Sequence, residues 1–306
     1  MINPAATRAA GASRDAVVRA LRHHDLGVVA VPSSADGLRE AVRDAAAQGA
    51  RVVAVLGGDG TIGIAAAELA GTDVALLPLP GGSTNVFARG IGWPARTAEA
   101  LARVPEALAG PGRTLVLGDV RADDLGRVAC INVGVGMDAA AVHWVERHPR
   151  AKRGFRQVAF IAAAAGPGAV ALRRSAPMRL RVGHQPPITI HGIVVAWGKP
   201  YVYLGPRPLT ILPAADWDGR MQWVALTRPS VAAALAVIVR GVAGRSTPTP
   251  GSIGGHSALP LVMECDAPFT VQVDGEPVGP VHRLALGAGP RLRVVTPQAS
   301  GGPADN

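Results

Sequence analysis

The sequence predicts a doubly wound α/β domain followed by a mostly antiparallel β domain. Three observations carry this reading. Between residues 27 and 109 short β-branched runs alternate with helical stretches, and after about Arg113 strand-like runs separated by Gly and Pro dominate. The chain has 306 residues, 48% of them hydrophobic, enough for about two cores.

In the first domain, residues 27–31 (GVVAV), 51–56 (RVVAVL) and 74–77 (VALL) read as parallel strands, since strands buried on both faces are nearly continuous apolar runs. Helices are expected at 35–48, at 61–70 and from Asn85 onward. Leu38, Ala41, Val42 and Ala45 fall on one face of the first helix, with Arg39, Glu40, Arg43 and Asp44 around the rest. Only Met1 and Ile2 precede Asn3-Pro4, which look like the turn after a strand, so that strand is either missing or supplied by other residues. In the second domain strands are expected at 113–120, 127–135, 187–197, 220–226, 261–265, 269–274 and 291–295, with helices only near 137–146, 155–165 and 229–240. The expected boundaries are 1–112 and 113–297, the last strand packing back on the first domain, with 298–306 a disordered tail.

Charge narrows the partners. The 31 Lys+Arg against 22 Asp+Glu leave a formal +9, which favours an anionic partner. Aromatic content is 4% and no basic block is interleaved with aromatic residues, so a nucleic acid is not expected and a nucleotide or a membrane surface is. Cys130 and Cys265 sit in apolar runs without CxxC spacing and read as buried reduced thiols, with a cytoplasmic setting as the default. No leader-like pattern opens the chain, and the apolar runs at 230–239 and 159–172 fall short of the ~20 residues of a membrane span, so membrane contact is expected to be peripheral. His23, His24, His143, His148 and His256 lack metal spacing with one another or with an acid.

Three stretches carry chemistry. In Gly57-Gly58-Asp59-Gly60-Thr61 a strand ends in glycines just before a helix, which lets backbone N–H groups approach a phosphate at the positive helix end. The same residues read equally as a tight turn capped by Asp59. A second loop, Pro80-Gly81-Gly82-Ser83-Thr84-Asn85, follows the next strand, placing two glycine loops at one sheet edge, where α/β sheets bind ligands. Ser83, Thr84 and Asn85 can hydrogen-bond phosphate or ribose, or cap their helix. Neither loop has the Walker A or Gly-x-Gly-x-x-Gly pattern. The third stretch, Val273-Asp274-Gly275-Glu276, reads as a hairpin turn or as a carboxylate placed to accept a hydroxyl proton.

Together these resemble the diacylglycerol kinase catalytic family, the lipid kinases that include bacterial diacylglycerol kinases and sphingosine kinases. Residues 57–61 match its GGDGT motif, and 80–89 (PGGSTNVFAR) look like its PxGTxNDFAR motif. Residues 132–139 (NVGVGMDA) are similar to its N-A-G-x-G-x-D-A segment, 273–276 to its V-D-G-E, and Asn3-Pro4 to the pair closing its first strand. The resemblance implies a Rossmann-like, NAD-kinase-like nucleotide domain, a C-terminal β-sandwich that takes the lipid, and transfer of the ATP γ-phosphate to a lipid hydroxyl, first of all diacylglycerol to phosphatidic acid. It implies ATP and Mg²⁺ as cofactors, with Asn3, Gly57, Gly58, Gly60, Thr61, Gly81, Gly82, Ser83, Thr84 and Asn85 around the nucleotide. Asp274 would be the general base, Glu276 its support, and Asp59 an organiser of nucleotide or Mg²⁺. Asp216 and Asp218 resemble an acidic turn that holds a structural Mg²⁺ in some members, though in a copy one residue short, and a plain type I turn is the preferred reading there.

Implied partners are a lipid substrate at a membrane surface and anionic headgroups, with a homodimer admissible. The basic stretch 147–156 (RHPRAKRGFR) reads as a solvated face or as the headgroup contact, and 231–239 as core or as the border of a lipid-chain pocket. After GGDGT the family's Asn-Glu is replaced by Gly63-Ile64, the aspartate after the Asn by Val86, and an Asn by Trp197. These departures keep two alternatives in view: an NAD-kinase-like enzyme, and a catalytically impaired paralogue that binds nucleotide or lipid.

Overall fold

The structure is a computed structural model that describes residues 1–2, 14–22, 32, 34–148, 164–245 and 248–298. The expected strand 27–31, Asn3-Pro4, His23 and His24, most of the helix 155–165, most of the basic stretch 147–156 and nearly all of the 298–306 tail lie outside the described residues. The described chain forms two compact units, Met1–Leu115 with Pro290–Asn306, and Val116–Gly289.

The first unit is α/β. Its elements are α1 (Arg14–Arg22), α2 (Ala35–Ala47), β1 (Val52–Gly57), α3 (Asp59–Leu69), β2 (Ala75–Pro80), α4 (Val86–Gly90), α5 (Thr97–Ala102) and α6 (Val104–Ala109). Strands β1 and β2 pair in parallel from Val52↔Ala75 to Gly57↔Pro80, and Ile2 forms a parallel bridge to Leu56 on the other side of β1. Five of the six residues of each strand are buried, as their unbroken apolar runs require. Ile62, Ala65, Ala66 and Leu69 are the buried positions of α3, and Leu38 and Val42 those of α2. The N-terminus of α2 is capped by Ser34, whose Oγ accepts from the Gly37 N–H at 3.0 Å.

The second unit is strand-dominated and mostly antiparallel. It contains β3 (Arg113–Ala122, which begins in the first unit), β4 (Leu125–Ala129), β5 (Asn132–Val135), α7 (Met137–Arg147), α8 (Ala169–Arg173), β6 (Met178–Val182), β7 (Ile188–Ile190), β8 (Gly192–Ala196), β9 (Val202–Leu204), β10 (Arg207–Leu209), β11 (Met221–Leu226), α9 (Val231–Val242), β12 (Ser252–Ser257), β13 (Leu261–Val273) and β14 (Glu276–Val294). Its main ladder runs β14-β13-β5-β8-β11-β12. The stretches read from sequence as two strands around 261–274 are one strand, β13, with a register shift between Glu264 and Phe269. Its first half pairs with β6 and its second half with β5, so β13 serves two ladders. The last residues of β14, Arg293 and Val294, belong to the first unit and pair in parallel with Ala75 and Leu76 of β2.

Candidate functional site

Because β1 and β2 are adjacent and parallel, their C-terminal loops leave the sheet at one edge. The Gly81 N–H donates to the Gly57 carbonyl at 2.9 Å, carrying the ladder one residue further. There the loops meet backbone to backbone: a Cβ on Gly82 would lie 2.7 Å from Gly58 Cα, closer than real Cβ atoms come. Gly57 is required for another reason, since a Cβ there would fall 2.5 Å from Cβ of Thr61, whose side chain lies over the strand end.

Asp59 is the first residue of α3, and the N-cap is Gly58, with no side-chain cap bond. The capping reading of Asp59 therefore gives way to a cross-loop one. Its carboxylate accepts from Thr84 Oγ1 at 2.9 Å and from the Phe87 N–H at 3.1 Å, at the positive end of α3. Asn85 adopts a left-handed conformation (φ 49°, ψ 47°), which its short amide tolerates. Its Oδ1 accepts from the Gly82 N–H at 2.7 Å and its Nδ2 donates to the Gly82 carbonyl at 2.9 Å. Thr84 and Asn85 are thus buried staples of the second loop, whereas Gly60 and Ser83 are exposed. Asn3 lies outside the described residues.

In the second unit, Asp274 sits at the β13–β14 turn with φ 51°. Its carboxylate accepts three backbone N–H groups, from Cys130 at 2.6 Å, Ile131 at 2.8 Å and Asn132 at 3.0 Å. A carboxylate has about four lone-pair directions, so most of them are used to fix this one against the start of β5. Glu276, expected to support Asp274, is exposed, and its ion-pair partner is Arg127 at 3.9 Å. Main-chain amides of residues 130–132 fix the Asp274 carboxylate.

The sequence motifs include Asp138 and Gln272 without pointing to a role for either, and nothing in the pattern marks Tyr201. Gln272, 1% exposed, donates from Nε2 to Asn132 Oδ1 at 3.0 Å and to Asp138 Oδ2 at 2.8 Å, while its Oε1 accepts from the Gly275 N–H at 2.7 Å. The Tyr201 hydroxyl donates to Asp138 Oδ1. Burial pushes the Asp138 carboxyl above its usual range, against the pull of the Tyr201 and Gln272 hydrogen bonds. Burial, then the neighbouring Asp138 charge, holds the Tyr201 phenol well above its usual range, so it stays a donor. Gly134 makes room for this: a Cβ there would overlap the Asp138 carboxylate.

Asp138 and Tyr201 also line a cavity of about 220 Å³ inside the second unit. Its other walls are almost wholly aliphatic, among them Val194, Leu209, Val224 and Leu226, and α9 contributes Val231, Ala234, Leu235, Val237, Ile238 and Val242. The stretch 231–239 is therefore both core and cavity wall. The result is an apolar pocket with one polar corner, the usual form of a small-molecule site.

Asp216 and Asp218 are placed less suggestively. Asp216 lies 3.8 Å from the Lys199 ammonium, and Asp218 accepts from the Arg220 N–H at 2.9 Å, a local turn bond. Among the described residues no group of three or more His, Cys, Asp or Glu is set to hold a metal ion, and no helix is long and apolar enough to cross a membrane. Cys130 and Cys265 are both buried.

Comparison with known proteins bears on the same residues. Residues 1–117 match the model of the diacylglycerol kinase catalytic domain. A curated diacylglycerol kinase from Mycobacterium tuberculosis (strain ATCC 25618 / H37Rv) is 35% identical over 114 residues, 37% of this chain, and the match spans only 36% of that relative's length. The crystal structure of a diacylglycerol kinase from Bacillus anthracis str. Sterne superposes with a TM-score of 0.67 at 16% identity, covering 99% of this chain and 96% of that one. A second structure from the same strain gives 0.68 at 18%, covering 99% and 94%. At those identities the likeness speaks for the fold. The chain resembles the diacylglycerol kinase catalytic family, as its motifs lead one to expect.

Proposed function

We propose that this chain, whose first 117 residues match the diacylglycerol kinase catalytic domain, is a lipid kinase that uses ATP and Mg²⁺ to phosphorylate a lipid hydroxyl, with diacylglycerol the first candidate acceptor. The observation that carries the lipid half is the aliphatic cavity with the Asp138–Tyr201 pair at one corner. An acyl or alkyl chain gains about 0.8 kcal/mol for each methylene it buries in such walls, and a hydroxyl needs the polar partners that the corner provides.

The nucleotide half rests on the paired loops. Glycine at 58 and 82 is what allows two backbones to come this close, and side chains there would fill the space a phosphate needs. The first N–H groups of an α-helix have no partners within it, so those at the start of α3 point toward an anion placed before the helix. The Asp59 carboxylate is a hard oxygen donor of the kind Mg²⁺ takes, and Mg²⁺ in such sites is held by one or two carboxylates together with the phosphates. When bound, ATP and Mg²⁺ supply the phosphoryl group and neutralise its charge. The chain's part is positioning, which dominates catalysis of phosphoryl transfer. Thr84 and the Phe87 N–H hold the Asp59 carboxylate in one place, and Asn85 holds the second loop. Asp274 is assigned to accept the acceptor hydroxyl's hydrogen bond and proton, its direction set by the three amides of residues 130–132. Peripheral contact with a membrane surface follows from the substrate.

The test is transfer of labelled γ-phosphate from ATP to a panel of vesicles carrying diacylglycerol, ceramide or sphingosine. Transfer to at least one is expected, and folded protein that labels none of them counts decisively against the assignment. A second reading, a nucleotide- or lipid-binding regulator, draws on Gly63: it sits inside α3 with nothing within 4 Å of its Cβ position, so no packing demands glycine where the family carries a polar side chain. ATP binding without turnover on any lipid points to it. An NAD-kinase-like activity is separated by an NAD phosphorylation assay.

A further inference from the structure

We infer that the outward face of α9 is the surface by which the protein seats on an anionic bilayer, an inference that rests on the lipid-acceptor reading above. The helix is two-faced. Ala233, Ala234, Val237 and Gly241 are its buried positions, and Gly241 permits close approach, since a Cβ there would lie 3.1 Å from Ile211 Cα. On the other side Leu235, Val239 and Val242 are 46%, 64% and 57% exposed. Their spacing of four and three residues puts them on one stripe. Single exposed apolar side chains are ordinary, whereas a contiguous row marks an interaction surface.

Charge identifies the occupant. The helix contains no acid, and Arg228 before it and Arg245 after it are exposed. The short helix α8, whose Leu172 packs with Ala233 and Ala234, exposes Val170, Arg173 and Arg174. Residues 147–263 carry 15 Lys or Arg against two acids, Asp216 and Asp218, so the chain's positive excess is concentrated in the part that holds α9. An aliphatic row flanked by arginines fits acyl chains beneath anionic headgroups. It fits a second copy of itself poorly, because the arginines would face one another. Leu235 and Val242 belong to the exposed row and also line the cavity, so the helix that rests on the bilayer is a wall of the acceptor pocket.

The test reads binding rather than turnover. The full chain is sedimented with phosphatidylcholine vesicles with and without phosphatidylglycerol, alongside Val239→Asp, which alters the most exposed valine and leaves the cavity lining untouched, and the double variant Arg228→Gln/Arg245→Gln. Preference for the anionic vesicles is expected, with a loss of at least about tenfold for Val239→Asp and weaker, less salt-sensitive binding for the double variant. An environment-sensitive dye on Val239→Cys should shift to the blue on the anionic vesicles, which tests the same contact without a charged substitution. Undiminished binding by Val239→Asp, or no spectral shift at position 239, overturns the assignment. A dimer that Val239→Asp dissociates, with no vesicle binding, overturns it too and gives the face to a second copy. Vesicle binding through α9 by a chain that phosphorylates no lipid sinks the kinase reading and leaves this surface standing.

Discussion

Gly82 and Gly58 approach so closely that a Cβ on the first would lie 2.7 Å from the Cα of the second. The contact is between main chains, so no rotamer change relieves it, and Gly82→Ala must displace one loop. A destabilisation of about 1–3 kcal/mol is expected, together with weaker ATP binding. Chemical unfolding and calorimetric ATP titration check both. Unchanged ATP affinity in a folded variant removes the second loop from the nucleotide site.

Asp59 and Thr84 separate the organising role of the acid from its role as a staple. Thr84→Val deletes one hydrogen bond and should cost about 1 kcal/mol of stability with a modest change in rate. Asp59→Asn keeps the shape and removes the charge, and should lower kcat by about 100-fold or more and raise the Mg²⁺ concentration needed for half-maximal rate. Equal kinetic effects from the two variants leave Asp59 with a structural role only.

Asp274→Asn tests the proposed base and its setting together. Oδ1 alone cannot serve the Cys130, Ile131 and Asn132 amides, so a loss of about 1.5–3 kcal/mol in stability should accompany the loss of turnover. Persistence of full activity on any lipid shows that the proton leaves by another route.

Asp138 predicts a dependence on pH. Its folded-state pKa is raised by burial above the ordinary 3.8. Below that value both states carry the proton; above it the unfolded chain releases the proton first, so the folded state binds more protons and stability falls as pH rises toward and through the folded-state pKa. Asp138→Asn lacks this term. Melting temperatures between pH 4 and 8 should converge or cross in favour of the variant as pH rises, and parallel curves refute the buried-carboxyl account.

Ala234 lines the cavity from α9. Ala234→Leu should raise KM for a long-chain acceptor by about tenfold or more, as a few methylenes in an apolar pocket do, and leave KM for ATP unaltered. An acceptor KM that does not move places the lipid elsewhere.

Much of this was legible in the sequence, for local reasons. The runs that became β1 and β2 are apolar throughout and stop at Gly and Pro, and α2 buries Leu38 and Val42 as its periodicity demands. Strand β6 is not among the expected strands, although Met178, Leu180 and Val182 alternate inward with Arg179 and Arg181 outward, a plain two-residue period. Strands β9 and β10, three residues each, are too short to leave a pattern. The site was legible as motifs but not as bonds. Asp59 meets Thr84 across 25 residues and Asp138 meets Tyr201 across 63, and no local spacing encodes either pairing. Glu276 is a further case: its ion pair with Arg127 joins residues far apart in the chain, and the turn motif around it gives no sign of that pairing.

Gly134 and Asp138 have a consequence for descent. A side chain at 134 and the carboxylate at 138 compete for one volume, so neither order of single steps away from the pair is neutral. Enlarging residue 134 first evicts the acid, and removing the acid first strands the Tyr201 and Gln272 donors. Relatives should therefore keep the glycine and the acid together or lose them together, and a lineage that has swapped both should show a remodelled corner where Tyr201 now sits.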